Sequence, residues 1–488
     1  MQFKFYKLMT YSICILLWVL DANASNAKNN SVKFLSERST SAFTALLRDA
    51  EQTVHIGIKV VDVDSNQVIY QRNARRLFTP ASTLKIFTAA EALVYLGPDY
   101  RFETQLIADS NNINEDKLRG NLYLQLSGDP SLSIDNLRNL LVSLQQAGIK
   151  QIQGDFIIDS TTATTAPYPP GAMIDDKVYG YGAPVAPLLL DNNRYVLIIA
   201  PGKQIGHPAN IADINIYPLL KIHNRLQTAK ADAQDCQVEF RLDQVNQLIV
   251  EGCIPLNTAA FSQELAIQFP QAYARYVIKN LLQQLHIKLL GDVKFTNHPH
   301  KNALFIGSHQ SEPLLNLITH MLKESDNSYA DSLFLKIGAN YFNHTPSWQK
   351  ASKALIAIMR NEFALDLTQA TIVDGSGVSR YDLVSPAQAM QLLLAMVQHF
   401  PLRYEFINAL PLAGKDGTLE WRMREQPAYT RVRAKTGNMT GVSALAGYVE
   451  TRRKHMLAFV IMMQGFPDHG KNYRQLEDKL CNFMVENW

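Results

Sequence analysis

Hydrophobic positions change their spacing twice along this chain, and the changes divide it into three stretches. In the first, residues 55–63 alternate as a strand, and residues 82–96 have helical spacing that a Gly-Pro pair ends. From about residue 100 to residue 300, short alternating runs separated by turn residues predict a mostly β region. From about residue 313, apolar residues return to helical spacing and predict a second set of helices.

The last stretch also contains strand patterns, around residues 430–436, 443–450 and 456–463, before a final helix over residues 473–485. Helices and strands therefore occur at both ends of the chain, with a β-rich block between them. The pattern indicates one α/β domain interrupted by a large insertion.

Bulk composition favours a packed protein of several domains. The chain has 488 residues, of which 47% are hydrophobic and 19% are charged, and its length predicts two or three domains. The formal net charge of +3 gives no reason to expect a nucleic-acid partner. The closest histidine pair, His298 and His300, has no third ligand at a suitable spacing, so we predict no metal site and no cofactor.

The first residues have the layout of a secretory signal peptide. Lys4 and Lys7 precede an uncharged apolar run over residues 8–20, and Ala22-Asn23-Ala24 offers a cleavage site. A transmembrane anchor is the alternative, but the run is shorter than the roughly 20 residues needed to span a bilayer. We expect residues 1–24 to be removed after Ala24, which leaves an exported protein without a stable membrane span.

Two of the four cysteines are spaced for a disulfide. Cys236 and Cys253 flank a strand-like stretch, and in an exported protein this suits a hairpin closed by a disulfide. Two free buried thiols are the alternative. Cys14 lies in the signal segment, and Cys481 falls on the apolar side of the terminal helix, where we expect it to be buried.

Three short motifs carry the candidate chemistry. They are Ser82-Thr83-Leu84-Lys85, Ser325-Asp326-Asn327 and Lys435-Thr436-Gly437, of the forms S-x-x-K, S-D-N and K-T-G. S-x-x-K also begins at Ser25 and Ser347, so the pattern alone does not select one serine. Ser82 is selected because it begins a predicted helix after a Pro-Ala turn and precedes the other two motifs in the right order. A helix cap or a strand end explains any one motif, but not all three together.

The residues of these motifs suit nucleophilic catalysis. A serine hydroxyl needs an adjacent base, and Ser82 and Lys85 lie one helical turn apart on the same side. Lys85 can act as that base if burial and a second cation, for which Lys435 is the candidate, lower its pKa. Ser325 would pass a proton to the leaving amine, and Asn327 would hold Lys85 and the substrate amide.

The K-T-G strand suits the binding of an extended peptide. A strand edge can pair with the peptide backbone, while Lys435 and Thr436 attract its terminal carboxylate. The backbone N–H groups of Ser82 and of Asn438, the residue after Gly437, would form an oxyanion hole. Together the motifs predict a serine acyl-enzyme hydrolase with Ser82 as its nucleophile.

The chain resembles the D-alanyl-D-alanine carboxypeptidase/endopeptidase family, the class C low-molecular-weight penicillin-binding proteins. The similarity extends over nearly the whole mature chain. Beyond the three motifs, it includes Pro80-Ala81-Ser82-Thr83, Leu96-Gly97-Pro98-Asp99-Tyr100-Arg101-Phe102, Gly128-Asp129-Pro130-Ser131-Leu132, Asp374-Gly375-Ser376-Gly377-Val378-Ser379-Arg380 and Leu410-Pro411-Leu412-Ala413-Gly414. The long gap between Ser82 and Ser325 matches this family's habit of inserting two extra domains between the first two motifs.

The resemblance implies an α/β fold with a penicillin-binding transpeptidase-like (serine β-lactamase-like) domain, in which helices flank an antiparallel sheet. A large, mostly-β insertion of two domains would interrupt it. The expected division is a catalytic domain of residues 31–98 plus 303–488, an inserted domain II of residues 99–185 plus 247–302, and an inserted domain III of residues 186–246.

The resemblance also implies a periplasmic enzyme that acts on peptidoglycan. It would remove terminal D-Ala from pentapeptides, cleave D-Ala-to-diaminopimelate cross-links and be inhibited covalently by β-lactams. Asp176, Tyr181 and Arg380 match positions expected to help bind the diaminopimelate side chain. The expected substrate-binding set is therefore Thr436, Gly437, Asn438, Asp176, Tyr181 and Arg380. A homodimer is the candidate assembly.

Two positions depart from the family pattern. Asn438 stands where Ser or Thr is usual, which keeps the backbone N–H but loses a hydroxyl contact. Thr440 stands where related proteins can carry a Gln that contacts substrate. These departures concern recognition of the substrate side chain rather than the reaction.

Two other functions compete with this prediction. A β-lactamase shares the acylation site, and Glu312-Pro313-Leu314-Leu315-Asn316 matches the E-x-x-L-N pattern of class A enzymes. That match precedes Ser325 instead of following it, and the large insertion argues against a compact β-lactamase. The second rival is a catalytically inactive wall-binding protein, against which the three intact motifs argue.

Overall fold

The computed structural model describes residues 39–109, 113–162, 164, 166–213, 221–242, 247–297, 304–467 and 470–488. The predicted signal segment and the pair His298 and His300 lie outside these residues. The helices are α1 (Arg48–Glu51), α2 (Lys85–Tyr95), α3 (Ile134–Gln146), α4 (Pro270–Gln284), α5 (Leu314–Lys323), α6 (Asn327–Phe342), α7 (Trp348–Phe363), α8 (Pro386–Gln398), α9 (Arg403–Ala409) and α10 (Lys471–Asn487).

The strands of the two chain ends are β1 (His55–Asp62), β2 (Val68–Arg72), β19 (Val432–Met439), β20 (Val442–Glu450) and β21 (Met456–Gln464). Those between are β3 (Glu103–Ala108), β4 (Ile113–Asn114), β5 (Lys117–Leu118), β6 (Leu122–Gln125), β7 (Gln151–Ile152), β8 (Phe156–Asp159), β9 (Arg194–Ala200), β10 (Asn210–Asp213), β11 (Lys221–Asn224), β12 (Gln227–Ala229), β13 (Val238–Leu242), β14 (Gln247–Pro255), β15 (Phe261–Ala266), β16 (Lys288–Leu289), β17 (Val293–Thr296) and β18 (Leu304–Gln310).

Strands from the two ends of the chain form one antiparallel sheet in the order β19-β20-β21-β1-β2. Strand β1 lies beside β21, with Ile58 opposite Ile461. Strands β20 and β21 are buried at nearly every position. Their sequences are continuous apolar runs, as expected when both faces of a sheet are covered.

Alternate residues of this sheet pack against different helices. Val460 and Met462 face a core that they share with α2, α5, α6, α7 and α8. Phe459 and Ile461, which alternate with them, pack on the other face against α10, for example on Leu480. The predicted fold class, an α/β protein in which helices flank an antiparallel sheet, is therefore confirmed.

The segment between α2 and α5 has its own hydrophobic core, formed by residues from Leu106 to Val293. Its largest sheet has the order β17-β8-β6-β3-β18. In that sheet β18 pairs with β3, so the segment enters and leaves through adjacent antiparallel strands. Strand β18, which lies beyond the expected boundary at residue 302, is thus part of the same sheet as the inserted strands.

In the second half of the insertion, strands pair across a boundary of the expected division. Strand β14 pairs with β11, β12 and β13, and β15 pairs with β9. Residues 247–266 therefore join the strands of residues 194–242, whereas the prediction grouped residues 247–302 with residues 99–185. The long-range pairing of β15 with β9 brings them together, which no local pattern indicates.

The predicted hairpin disulfide is confirmed. Cys236 and Cys253 are bonded, with their Cα atoms 5.2 Å apart, beside the antiparallel pair β13–β14. Cys481 is a free, buried thiol, also as expected. Among the described residues, no helix is both long and apolar enough to cross a bilayer, and no group of three acidic, histidine or cysteine side chains is arranged to hold a metal.

Candidate active site

Ser82 lies in a tight turn that leads into helix α2. Residues Ala81–Leu84 form a 3-10 turn, and the α-helix begins only at Lys85, so the predicted helix start at Ser82 is three residues early. Ala81 has a left-handed backbone with φ +46°, which is uncommon for a residue with a side chain. Strain of this kind persists only where the surroundings hold it, and it is frequent beside reacting groups.

Two glycines let neighbouring segments approach this turn. A Cβ atom on Gly437 would lie 2.7 Å from the carbonyl oxygen of Pro80 and 3.1 Å from the amide nitrogen of Thr83. A Cβ atom on Gly377, whose φ is +78°, would lie 2.0 Å from the carbonyl oxygen of Ala81. The last residue of K-T-G therefore has to be small because strand β19 packs directly against the Ser82 turn.

Lys85 connects the first motif to the second. Its Nζ atom donates to Oγ of Ser82 at 2.9 Å, to Oδ1 of Asn327 at 2.6 Å and to the carbonyl oxygen of Ser376 at 2.8 Å. The side chain of Lys85 is fully buried. All three donor positions of the ammonium group are thus used, one of them on the candidate nucleophile.

Burial lowers the pKa of Lys85 to about 8, even though nearby buried carboxylates, chiefly Asp331 and Asp374, oppose the shift. A positive charge that lowers it further belongs to Arg194. The sequence instead suggested Lys435 as the second cation that lowers the pKa of Lys85. Burial and then the charge of Lys85 hold the pKa of Lys435 well below its ordinary value, so the two amines do disfavour each other's protonation.

Lys435 connects the third motif to the second. Its Nζ atom donates to Oγ of Ser325 at 2.9 Å and to the carbonyl oxygen of Thr436 at 2.9 Å. Ser325 has a left-handed backbone with φ +60°, in the turn between α5 and α6. The serine of the S-D-N motif therefore contacts Lys435, while its asparagine contacts Lys85.

Buried carboxylates hold the loop that contacts Lys85. Asp374 accepts the backbone N–H groups of Ser376, Gly377 and Ser379, at 3.1, 2.6 and 2.8 Å. Asp331, on α6, accepts the hydroxyl of Ser376 at 3.1 Å. In the sequence, residues 374–380 were recognised only as part of a resemblance, since no local pattern indicated that the carbonyl oxygen of Ser376 would bind Lys85.

Four of the six substrate-binding candidates, all except Thr436 and Gly437, line a cleft of about 430 Å³. It is lined by Ser82, Ser325 and Asn327 with Asp176, Tyr181, Glu324, Gly377, Val378, Arg380, Asn438, Met439, Thr440 and Arg474. A larger cavity, of about 480 Å³, lies between the insertion, helix α6 and the loop that follows α6, and none of the motif residues lines it. The smaller cleft is therefore the site that matters for the motif chemistry.

Three of the lining residues are fixed by contacts with one another or with the motifs. The hydroxyl of Tyr181 donates to Oδ1 of Asp176 at 2.9 Å, and burial together with that carboxylate raises the pKa of the phenol. The carbonyl oxygen of Tyr181 accepts Nδ2 of Asn327 at 2.8 Å. Arg380 donates to the carbonyl oxygen of Thr440 at 2.9 Å.

The hydroxyl of Thr436, another member of the expected substrate-binding set, is also engaged in a hydrogen bond within the protein. It is buried, and its Oγ1 donates to Oγ1 of Thr418 at 2.8 Å. Thr418 was not predicted, because it lies in no motif and reaches the site through the loop between α9 and β19. A nearby threonine in a turn carries no signal of its own in a single sequence.

Comparison with known proteins adds an independent observation to this geometry. The sequence model of the D-Ala-D-Ala carboxypeptidase 3 (S13) family matches residues 40–485. The chain belongs to this family. Its membership confirms both the resemblance seen in the sequence and the enzyme class, a serine-type D-Ala-D-Ala carboxypeptidase.

Members and structural neighbours of the S13 family align over most of this chain. D-alanyl-D-alanine carboxypeptidase DacB of Haemophilus influenzae is 31% identical and covers 84% of this chain and 86% of its own length. D-alanyl-D-alanine carboxypeptidase of Actinomadura sp. is 29% identical, over 84% of this chain and 77% of its own. The crystal structure of penicillin-binding protein 4 (dacB) from H. influenzae superposes with a TM-score of 0.82 at 29% identity, covering 91% of this chain and 99% of that one.

A second structure of penicillin-binding protein 4 from H. influenzae holds a novel β-lactam, and it superposes with a TM-score of 0.76 at 28% identity. A predatory endopeptidase from Bdellovibrio bacteriovorus is 15% identical, with a TM-score of 0.53 over 88% of this chain and 93% of that one. At that identity the likeness shows a shared fold and nothing about activity.

Proposed function

We propose that this S13 enzyme cleaves the D-Ala-D-Ala end of peptidoglycan peptides through an acyl-enzyme on Ser82. Oγ of Ser82 attacks the carbonyl carbon of the penultimate D-Ala and gives its proton to Nζ of Lys85. The C–N bond then breaks, the leaving amine takes up a proton, and the acyl group remains on Ser82 until water hydrolyses it. The observation that carries this proposal is the 2.9 Å contact between Ser82 and a fully buried Lys85.

Ser325 and Lys435 are the proposed route of the proton to the leaving amine. Their side chains are 2.9 Å apart, and Ser325 lies in the cleft beside Ser82. A substrate carboxylate arriving beside Lys435 would supply the negative charge that this buried amine lacks, and so favour its protonated form. Ser82 and Asn438 would provide the oxyanion hole through their backbone N–H groups, which the close packing at Gly437 supports.

Asp176, Tyr181 and Arg380 are the proposed contacts of the diaminopimelate side chain. That side chain carries both an ammonium and a carboxylate, and the carboxylate of Asp176 and the guanidinium of Arg380 line the same cleft as Ser82. The Tyr181 hydroxyl orients Asp176. With the side chain recognised, the enzyme would also cleave D-Ala-to-diaminopimelate cross-links, which is an endopeptidase activity.

Intact-protein mass spectrometry with benzylpenicillin tests the acyl-enzyme. We expect one stable adduct on the wild type and none on Ser82→Ala. Ser347→Ala, which changes a second S-x-x-K serine at the start of α7, serves as the control and should label like the wild type. An adduct that survives Ser82→Ala would refute the assignment of the nucleophile.

Cross-linked and uncross-linked muropeptides separate the two peptidase activities. Release of D-Ala from a pentapeptide and cleavage of a purified cross-linked dimer would be followed by chromatography for the wild type, Asp176→Asn and Arg380→Gln. Both variants should lose activity on peptides, by about 10- to 100-fold, and keep acylation by benzylpenicillin, which has no diaminopimelate. An equal loss of peptide cleavage and of acylation by benzylpenicillin would show that these residues support the fold of the cleft rather than substrate recognition.

The β-lactamase alternative is less well supported. Glu312, which completes the E-x-x-L-N match, is exposed, and its carboxylate accepts a hydrogen bond from Nδ2 of Asn316 at 3.2 Å. It does not line the cleft that holds Ser82. A penicillin adduct that decayed within milliseconds would nevertheless favour this function. An inactive wall-binding protein would be favoured if the purified protein neither released D-Ala nor reacted with penicillin.

We also propose export to the periplasm with removal of residues 1–24. N-terminal sequencing of the mature protein tests this proposal, and we expect the mature chain to start at Ser25.

Three domains are proposed, with the insertion extended through β18 and residues 247–266 assigned to its second unit. This division is supported by the strand pairing of β14 and β15.

A homodimer remains a prediction, and light scattering during size-exclusion chromatography would test it.

A further inference from the structure

Arg194, the first residue of β9 in the insertion, forms an ion pair with the middle residue of the S-D-N motif. Its Nη2 atom lies 2.9 Å from Oδ1 of Asp326 and 3.3 Å from Oγ of Ser328. The side chains of Arg194 and Asp326 are only 15% and 4% exposed. Little water reaches this pair, so removing one partner leaves a buried charge that is poorly compensated.

The turn before Arg194 is shaped to reach the same carboxylate. Asp191, Asn192 and Asn193 all have left-handed backbones, with φ angles of 48°, 57° and 53°, and three such residues in succession are uncommon without glycine. Nδ2 of Asn192 donates to the other oxygen of Asp326, Oδ2, at 3.3 Å. One turn of the insertion therefore contacts both oxygens of Asp326.

Asp326 transmits this contact to two motif side chains. It caps helix α6, where its Oδ1 atom accepts the backbone N–H groups of Ser328 and Tyr329. Ser325 precedes it and Asn327 follows it in the chain, and these residues contact Lys435 and Lys85 respectively. A displacement of Asp326 would therefore disturb both of those contacts.

We propose that Arg194 is a positioning residue for the reaction: by holding Asp326, it keeps Ser325 and Asn327 aligned with the two lysines. The inference rests on the proposed function of Ser82. It gives the insertion a part in assembling the catalytic groups, in addition to its proposed part in substrate binding.

The charges around Lys85 support the same role. They belong to Asp326, which caps α6, Asp331 on α6, Asp374 in the adjacent loop, Lys435 on β19 and Arg194. His320 on α5 lies 3.6 Å from Asp326, and Glu264 on β15 lies 3.5 Å from Arg194. After burial, the carboxylates raise the pKa of Lys85 and Arg194 lowers it. Without the guanidinium, the pKa of Lys85 would be higher, and a smaller share of this amine would be neutral at a given pH.

The test compares acylation rates of the full-length enzyme with benzylpenicillin between about pH 6 and about pH 10. Arg194→Gln should acylate about tenfold more slowly at neutral pH, with its rate rising at a higher pH than in the wild type. Arg194→Lys keeps the charge and should recover most of the pH profile. Arg241→Gln, which removes an exposed arginine paired with Glu251 in the same insertion, is the matched control and should behave as the wild type.

Two results would overturn the proposal. One is a wild-type rate and pH profile for Arg194→Gln, and the other is a loss of rate by the same factor at every pH that Arg194→Lys does not rescue. Failure of the wild type itself to form an adduct would instead contradict the function of Ser82.

A double variant covers the case in which Arg194→Gln does not fold. Asp326→Asn combined with Arg194→Gln removes both buried charges of this contact and leaves only Glu264, the exposed second partner of Arg194, without it. If Arg194 positions the motif through Asp326, adding Arg194→Gln to Asp326→Asn should cause little further loss of the acylation rate at the pH where the rate levels off. A further loss there as large as the one that Arg194→Gln causes alone would overturn the proposal.

Discussion

In the proposed mechanism Lys85 has to be neutral to receive the proton of Ser82, yet an exposed lysine is almost entirely charged at neutral pH. Burial lowers its pKa to about 8, and about a tenth of the amine is then neutral at pH 7. Asp331 and Asp374 limit this shift, although they also fix the loop that carries the Ser376 carbonyl. The reactivity of Ser82 thus depends on a balance between desolvation and buried negative charge.

We expect the rate of acylation by benzylpenicillin to rise with pH up to about 8 and then to level off, since deprotonation of Lys85 above its pKa supplies the base. Lys85→Arg cannot lose its proton in this range, so it should abolish the rise and slow acylation by about 1,000-fold. Lys353→Arg, at an exposed position of α7, is the control. A wild-type rate independent of pH, or a rise preserved in Lys85→Arg, would contradict this role.

Glu91 is a second buried group on α2, and its character is opposite to that of Lys85. It is fully buried, neither carboxyl oxygen has a hydrogen-bond partner among the described residues, and burial raises its pKa well above the ordinary value. The folded protein therefore holds a proton there that the unfolded chain releases above about pH 4.5. This group costs stability increasingly as pH rises above that point.

Replacing Glu91 with methionine should stabilise the protein, by about 1–3 kcal/mol at neutral pH, because it removes a buried polar group without partners. The gain should be larger at about pH 8 than at about pH 5, since only the wild type has to keep the proton as pH rises. Chemical denaturation of the two proteins at both pH values measures it. Glu362→Gln, on the exposed side of α7, should leave the free energy of unfolding unchanged at both pH values. A gain for the Glu91 variant that did not depend on pH would contradict a protonated Glu91 in the folded protein.

At the scale of elements, the Ser82 turn and strand β19 depend on each other. The absence of a side chain at Gly437 lets β19 pass within contact distance of Pro80 and Thr83. Gly437→Ala should push the strand away from the turn and misplace the Asn438 N–H. We expect acylation by benzylpenicillin to fall about 100-fold, comparable to the loss of an oxyanion donor.

Asn438→Ala is the comparison that separates backbone from side chain at this point. It keeps the N–H and removes only the amide group, so its acylation should fall by less than about tenfold. Single-turnover kinetics would give both rates. Gly437→Ala with a rate near that of the wild type would show that the strand can shift at no cost to the site.

Short-range patterns predicted these elements well and their junctions poorly. The helix after Ser82 and the strands around residues 443–450 and 456–463 are where the apolar spacing indicated them. The 3-10 turn at Ala81–Leu84 was missed, because its geometry is imposed by packing against Gly377 and Gly437, more than 290 residues further on.

In the candidate site, the sequence predicted contacts within a motif but not contacts between distant segments. Ser82 and Lys85 are related by a local spacing, so their contact could be predicted from one motif. Thr418, Ser376 and Arg194 reach the motifs from other segments, through contacts that only the folded chain creates. The spacing of residues in a single sequence does not indicate such long-range contacts.

For the whole molecule, the order of elements along the chain predicted an interrupted domain, and strands β1 and β21 do lie side by side. The sequence did not predict that β15 pairs with β9, since about 60 residues of turns and short strands separate them. Strands β3 and β18, at the two ends of the insertion, pair with each other, so the insertion forms a self-contained unit. Its core is separate from those of the two sheet faces.

This separation predicts that a fragment of residues 103–310 folds alone. It keeps the whole inserted core, the Cys236–Cys253 disulfide and the pair β3–β18 that joins its ends. We expect a cooperative thermal transition and dispersed amide signals in NMR spectra, with no penicillin adduct because Ser82 is absent. A fragment of residues 103–297 lacks β18 and exposes the edge of β3, so it should be less stable or aggregate. A non-cooperative 103–310 fragment, or equal behaviour of the two, would show that the insertion needs the catalytic domain to fold.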